Sequence, residues 1–157
     1  MNLIGIGVVE QKDDLFIIRL NDKYKNGLIG IDDFSMLNVL WWADNADENI
    51  SDEGVLIHKP YTKGPESVGV FATRSQFRPN PICVSAISVC RIDHGKGLIY
   101  TYYIDAFPGT SVLDIKPYLP STDIAKNVSV PAWCSHWPDS LEASADFDWK
   151  AEFNFQV

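Results

Sequence analysis

The apolar residues of this chain come in short runs, each closed by turn-forming residues. Leu3–Glu10, Leu15–Leu20, Met36–Ala43, Val55–His58, Ile82–Ile92, Leu98–Ile104 and Val112–Tyr118 are brief and rich in β-branched and aromatic side chains, which suits strands better than amphipathic helices. Between them stand Gln11–Asp14, the turn-rich Asn21–Gly30, Asp93-His94-Gly95-Lys96-Gly97 and the loop Asp105–Thr110. Such residues reverse a chain. The pattern predicts an all-β (mainly β) fold, a small closed or partly open β-barrel with short helical additions and an extended C-terminal tail.

Local signals refine this. The polar turn at Gln11–Asp14 predicts a hairpin of the first two strands, and Asp93–Gly97 predicts a second one joining Ile82–Ile92 to Leu98–Ile104. Pro117 makes its run an edge strand or the end of one. Gly5-x-Gly7 lacks the third glycine and the following helix of a dinucleotide fingerprint, so it reads as a bend or a close approach of backbone. From Leu119 the texture changes to prolines 120, 131 and 138 and the run Trp133-Cys134-Ser135-His136-Trp137. Residues 119–157 are therefore read as an extension packed on the barrel or on a partner subunit. Within it Asp139-x-x-Glu142 predicts a short helix, and Phe147-x-Trp149 with Phe153-x-Phe155 predicts a last strand. With 157 residues and no linker or repeat, one domain over 1–157 is expected.

Charge and cysteine content narrow the function. Thirteen Lys and Arg against 21 Asp and Glu leave a net charge of −8, which disfavours broad, non-specific nucleic-acid binding. A local patch from Lys59, Lys63, Arg74, Arg78 and Lys116 remains available for specific contacts. Met1–Glu10 has no basic start and no long apolar run, and no stretch reaches membrane-spanning length, so no signal, no membrane and a cytoplasmic location are expected. Cys83, Cys90 and Cys134 form no even framework and no C-x-x-C pair. Neither disulfides nor a metal site is expected.

The segment most able to carry chemistry is Gly69–Ser85, G-V-F-A-T-R-S-Q-F-R-P-N-P-I-C-V-S. Val70, Phe71 and Ala72 predict a short buried strand, which Thr73, Arg74 and Ser75 then leave. Pro79 and Pro81 remove two donors and hold Arg78 and Asn80 away from helix. A stiff loop with two arginines, hydroxyls and an amide presents fixed donors to an anion or a planar polar ligand. A second polar cluster, Asp44-Asn45-Ala46-Asp47-Glu48, ends the most apolar run.

Three stretches carry a resemblance. G-V-F-A-T-R-S-x-F-R-P-N-P-I at Gly69–Ile82, G-T-x-V-L-D-I-K-P-Y-L-P at Gly109–Pro120, and Gly27-Leu28-x-Gly30-Ile31-x-x-Phe34-Ser35 resemble the TsaA-like (TrmO, YaeB) family. The resemblance implies a small β-barrel that forms a homodimer and binds S-adenosyl-L-methionine near the subunit interface. It also implies N6-methylation of threonylcarbamoyl-adenosine in tRNA next to the anticodon. Carried over by position, the cofactor contacts fall on Asp44, Asn45, Arg74, the backbone around Val84, and Tyr102, Tyr103, Ile104 and Asp105. Ser75, Arg78, Asn80 and Lys116 are assigned to substrate contact or loop ordering. The chain departs from the family at Met36 and Asn38, where it has His and Trp, at Asp44-Asn45, where it has His-Gln, and in lacking a P-R-Q-P-G-L segment between the first two strands.

Methyl transfer from a sulfonium asks mainly for alignment and a proton acceptor. Arg74 suits either the methionine carboxylate or the adenine face. Asp44 or Asp105 suits ribose hydroxyls or the amino group, and Tyr102 or Tyr103 suits ring stacking or the core. No catalytic base is assigned. The alternatives are a non-catalytic S-adenosylmethionine or nucleotide-binding module, and a methyltransferase acting on a small molecule.

Overall fold

A computed structural model describes residues 2–44, 46 and 55–154. Its strands are β1 (Gly7–Lys12), β2 (Leu15–Leu20), β3 (Met36–Trp42), β4 (Leu56–His58), β5 (Ser67–Gly69), β6 (Ile82–Ser88), β7 (Arg91–Asp93), β8 (Leu98–Thr101) and β9 (Ser111–Pro117). The chain forms two compact units, one from Met1–Asn49 and Asn80–Ile124, the other from Ile50–Pro79 and Ala125–Val157.

The first unit is a seven-stranded sheet in the order β6-β3-β9-β1-β2-β8-β7, antiparallel at every pairing. The strands form where apolar side chains alternate. In β3, Leu37, Val39 and Trp41 are buried while Met36, Asn38, Leu40 and Trp42 face the other side. Val9, Ile18, Leu37, Val39, Trp41, Ile87, Ile99 and Val112 meet in one core cluster, so strands from both halves of the sheet share an interior. Among the described residues no ladder joins β6 to β7, which stand as the end strands.

Several expectations are corrected. The first strand begins at Gly7, not Leu3. Gly7 is needed there because a Cβ would lie 2.3 Å from the Arg19 carbonyl oxygen, the close-approach reading of Gly5-x-Gly7. Ile82–Ile92 is two strands: β6 pairs with β3 and β7 with β8, and the partner changes where Val89 N–H bonds the Ser35 carbonyl and Cys90 N–H the Tyr100 carbonyl. Of the two readings of Pro117, the end of a strand holds and the edge strand does not. β9 lies between β3 and β1, and Pro117 is its last residue, where a missing donor does little harm. A bulge on β9 opposite Leu40 and Trp41 sets Asp114 against Leu40 and Val112 against Trp41. With Val112 and Ile115 turned inward, both Leu113 and Asp114 face outward.

In the second unit β4 pairs with β5. The predicted strand at Val70–Ala72 is a 3-10 turn, closed because the Thr73 N–H and Oγ1 both donate to the Val70 carbonyl, at 3.1 and 2.8 Å. Val70 is buried and Phe71 exposed as a result. Helix α2 (Leu141–Ala145) matches the expected helix but is capped by Ser140, whose Oγ accepts from Ala143 N–H. The predicted last strand is instead helix α3 (Trp149–Glu152), capped by Asp148. Phe153 makes one bridge to Tyr61, and Phe155 lies outside the described residues. The short helix α1 (Pro120–Asp123) belongs to the first unit.

Aromatic packing organises the second unit. Tyr61 stacks on Trp133 at 4.9 Å and meets Trp137 edge-on at 5.2 Å; Trp149 lies against Trp137 and Phe153. The buried Glu152 accepts from His136 Nε2 at 2.8 Å and Trp137 Nε1 at 3.1 Å, with Lys63 Nζ at 3.6 Å. Those donors hold its carboxyl below the ordinary glutamate range, the His136 bond most of all.

Candidate functional site

The antiparallel register gathers sequence-distant candidates at one end of the first unit's sheet. The C-terminal end of β3 meets the N-terminal end of β6, with Trp42 opposite Ile82 and Ala43 N–H bonded to the Pro81 carbonyl at 2.9 Å. Asp44 and Asn80, both exposed, follow on either side of that bond. Val84 lies two residues inside β6, opposite Leu40 and outward-facing. The start of β9 lies at the same end. Lys116 does not: it stands near the other end of β9, opposite Asn38, and its Nζ is 2.6 Å from Asp114. Asn45 lies outside the described residues.

The loop from β8 to β9 carries the remaining first-unit candidates. Tyr102 and Tyr103 are 72% and 66% exposed and Asp105 is exposed. Ile104 is 2% exposed and sits in the core, so only its backbone remains for a ligand. Partial desolvation of the hydroxyl and the nearby Asp105 carboxylate raise Tyr103 above its ordinary pKa. The loop is rigid for identifiable reasons. Thr101, 1% exposed, donates from Oγ1 to the Tyr103 carbonyl at 3.1 Å and accepts from Tyr103 N–H at 3.4 Å. Buried Ile104 and Ala106 anchor its middle. Gly109 and Thr110 bond Val9 at its end, at 2.8 and 2.9 Å.

In the second unit Arg74 is exposed and Arg78 is half-buried. Arg78 donates to the Thr73 and Ser75 carbonyls at 3.5 and 3.3 Å, and Ser75 Oγ accepts from Phe77 N–H at 3.2 Å. Ser75 and Arg78 thus order the turn that presents Arg74. Of the cations considered for phosphate contact, Lys59 pairs with Glu66, Lys63 with Glu152 and Lys116 with Asp114.

Two open clefts mark the first unit. The larger, about 500 Å³, is lined by Trp42, Asn80, Ser111 and Leu113 together with the start of the chain. The other, about 330 Å³, lies between Asp32–Ser35 and Val89–Ile92 and holds none of the predicted residues. Sequence reading missed Thr101, Phe107 and Trp42. Phe107 is 84% exposed, and nothing in an F-P-G turn announces that. Trp42 was readable: alternation from Leu37, Val39 and Trp41 turns it outward.

Comparison with known proteins completes the description. The family description "tRNA-methyltransferase O N-terminal domain" matches residues 7–124. A probable S-adenosyl-L-methionine-binding protein of Methanocaldococcus jannaschii is 32% identical over 121 residues, which is 77% of this chain and 94% of that protein. A tRNA (adenine(37)-N6)-methyltransferase of Eikenella corrodens is 40% identical over 90 residues, 57% of this chain and 51% of the relative. The crystal structure of TrmO from Pseudomonas aeruginosa shares the fold, with a TM-score of 0.60 at 22% identity over 82% of this chain. This chain spans 60% of that structure and about half of the Eikenella enzyme.

Proposed function

The chain belongs to the tRNA-methyltransferase O N-terminal domain family, and from this we propose that it transfers a methyl group from S-adenosyl-L-methionine to N6 of threonylcarbamoyl-adenosine in tRNA, next to the anticodon. The observation that carries the reading is the family match across 7–124, supported by a tRNA methyltransferase relative at 40% identity.

The residues present fit the cofactor. An exposed loop bearing Tyr102, Tyr103, Asp105 and Phe107 offers ring faces and a carboxylate to an adenosyl group joined to a positively charged sulfonium. Asp44 adds a second exposed carboxylate, suited to ribose hydroxyls or the amino group, and the backbone near Val84 offers further contacts. On the second unit Arg74 suits the methionine carboxylate. Ser75 and Arg78 order its turn, and Asn80 and Lys116 are assigned to the substrate. S-adenosylmethionine supplies the methyl group as an electrophilic carbon on sulfur. The chain's share is to hold that carbon in line with N6 and to keep the two apart from competing nucleophiles. The exchange would balance with the S–CH3 bond breaking as the N–C bond forms, S-adenosylhomocysteine leaving with the bonding pair, and the N6 proton passing to water.

Three finer statements accompany the proposal. The sheet is a partly open barrel, a reading supported by the single core that β6 and β8 share. The protein is a homodimer with the site near the interface, supported by outward Ile82 and Val84 on the end strand β6. Residues 119–157 extend a single functional domain whose family-matched part ends at 124. No helix of the described residues is long and apolar enough to cross a membrane, and a tRNA substrate accords with a cytoplasmic location. A binding-only role is the second reading, favoured by the name of the Methanocaldococcus relative.

The test is methylation of tRNA carrying threonylcarbamoyl-adenosine by the full chain, read by mass spectrometry of the digested nucleosides. Methylated threonylcarbamoyl-adenosine is expected, and none with tRNA that lacks the modification. Tight S-adenosylmethionine binding without any methylated nucleoside would leave the binding-only role standing instead.

A further inference from the structure

The larger cleft of the first unit is a built feature of the sheet. Its lining includes Trp42 on β3 and Ser111 and Leu113 on β9. Leu113 is there because of the β9 bulge: between inward Val112 and Ile115 the extra residue sends two successive side chains outward. Asn80, just ahead of β6, lines it as well. Asn2, Leu3 and Gly5 line it too, on a segment held where Ile6 N–H bonds the Val112 carbonyl at 2.8 Å and Asn21 Nδ2 bonds the Gly5 carbonyl at 3.1 Å. The lining holds an indole, leucines, amides and a hydroxyl, and no charged side chain. About 500 Å³ is enough for a ring of nucleobase size.

We propose that this cleft binds a purine base, stacked on Trp42 with its polar edge read by Asn80 and Ser111. The chemistry follows from the lining. A charged phosphate or carboxylate would find no counter-charge, and a purely aliphatic group would strand the amides and hydroxyl. A planar, neutral, hydrogen-bonding ring uses all of them, since every base has a π-face and a polar edge. The choice of purine among such rings rests on the methyl-transfer reading, in which the donor and the RNA target both carry adenine.

The experiment is calorimetric titration of three probes: adenosine, S-adenosylmethionine, and an anticodon stem-loop RNA. The proteins are the wild type, Trp42→Ala, Trp42→Phe and Asn80→Ala, each shown folded by its thermal melt. Trp42→Ala is expected to weaken the occupying ligand by roughly five- to a hundred-fold, and Trp42→Phe to retain most of the affinity. Loss confined to S-adenosylmethionine identifies the cofactor's adenine as the occupant. Loss confined to the stem-loop identifies an RNA base. Wild-type affinity for all three probes in both Trp42→Ala and Asn80→Ala overturns the proposal, as does a Trp42→Phe loss equal to that of Trp42→Ala. If the wild type binds neither S-adenosylmethionine nor RNA, the methyltransferase reading fails by itself. Adenosine then decides the cleft: binding that depends on Trp42 upholds it, and no binding ends it.

Discussion

Replacing Gly7 by alanine tests how the sheet is held together. The new Cβ would stand 2.3 Å from the Arg19 carbonyl oxygen and 3.1 Å from the Leu20 Cα. Both are backbone atoms of β2, so no side chain can swing away. Either β1 moves off β2 or the ladder opens near the Gly7–Leu20 pair. Overpacking of this kind costs about 1–3 kcal/mol, and a backbone neighbour puts the change at the upper end, about 3 kcal/mol. For a chain of this size each kcal/mol moves the midpoint by about 2–4 °C, so Gly7→Ala melts about 6–12 °C lower. Gly5→Ala is the control, because a Cβ there meets nothing within 4 Å; its effect stays within about 0.5 kcal/mol. Circular dichroism melts and urea midpoints read both variants. Because Val8 is registered with Ser111, displacement of β1 also disturbs the cleft over Trp42, and ligand affinity falls with stability. A Gly7→Ala protein as stable as Gly5→Ala would refute the close-approach reading.

Two further outcomes follow from buried polar groups. Thr101→Val leaves the Tyr103 amide and carbonyl without their partner and is expected to destabilise by about 1–2 kcal/mol. S-adenosylmethionine affinity should fall with it and return in Thr101→Ser; equal affinity in Val and Ser variants would remove the loop from the cofactor site. Glu152 has a lowered native pKa, so its contribution is complete above the ordinary glutamate value and lost as pH falls through the lower native one. Acid titration followed by tryptophan fluorescence should show the second unit loosening below the usual carboxylate range, and Glu152→Gln should flatten that dependence.

The strands were legible because burial alternates along them. Met36–Trp42 shows each inward side chain as a large apolar residue, and period two carries the information. What stayed hidden depends on partners distant in sequence. Nothing local divides Ile82–Ile92, since the break is a change of neighbour from β3 to β8. Phe147–Phe155 has an alternating pattern, but Asp148 caps Ala151 and the Trp149 indole N–H finds the Ser144 carbonyl at 3.1 Å, so a helical turn wins. Candidate positions in the first unit were named largely by resemblance. Register is what brings Asp44, Asn80 and the start of β9 to one end, and no single motif contains that. The tyrosine pair illustrates the limit: strict alternation sends one ring inward, yet both lie outside because the strand ends at Thr101 and a turn follows.

The β9 bulge has a consequence for chain length. Deleting Leu113 alone would set Val112 and Asp114 side by side against Trp41 and Leu40, healing the ladder while every later residue kept its face. Removing Ile115 would instead reverse the faces beyond it and turn Lys116 toward the core. Length can therefore change at the bulge without harm to the ladder, and Leu113 of that bulge is a wall of the cleft. The strand pairing is complete without Leu113, so the extra residue serves the cleft it lines rather than the ladder, and a shortened chain tests that where point substitutions, which keep the bulge, do not.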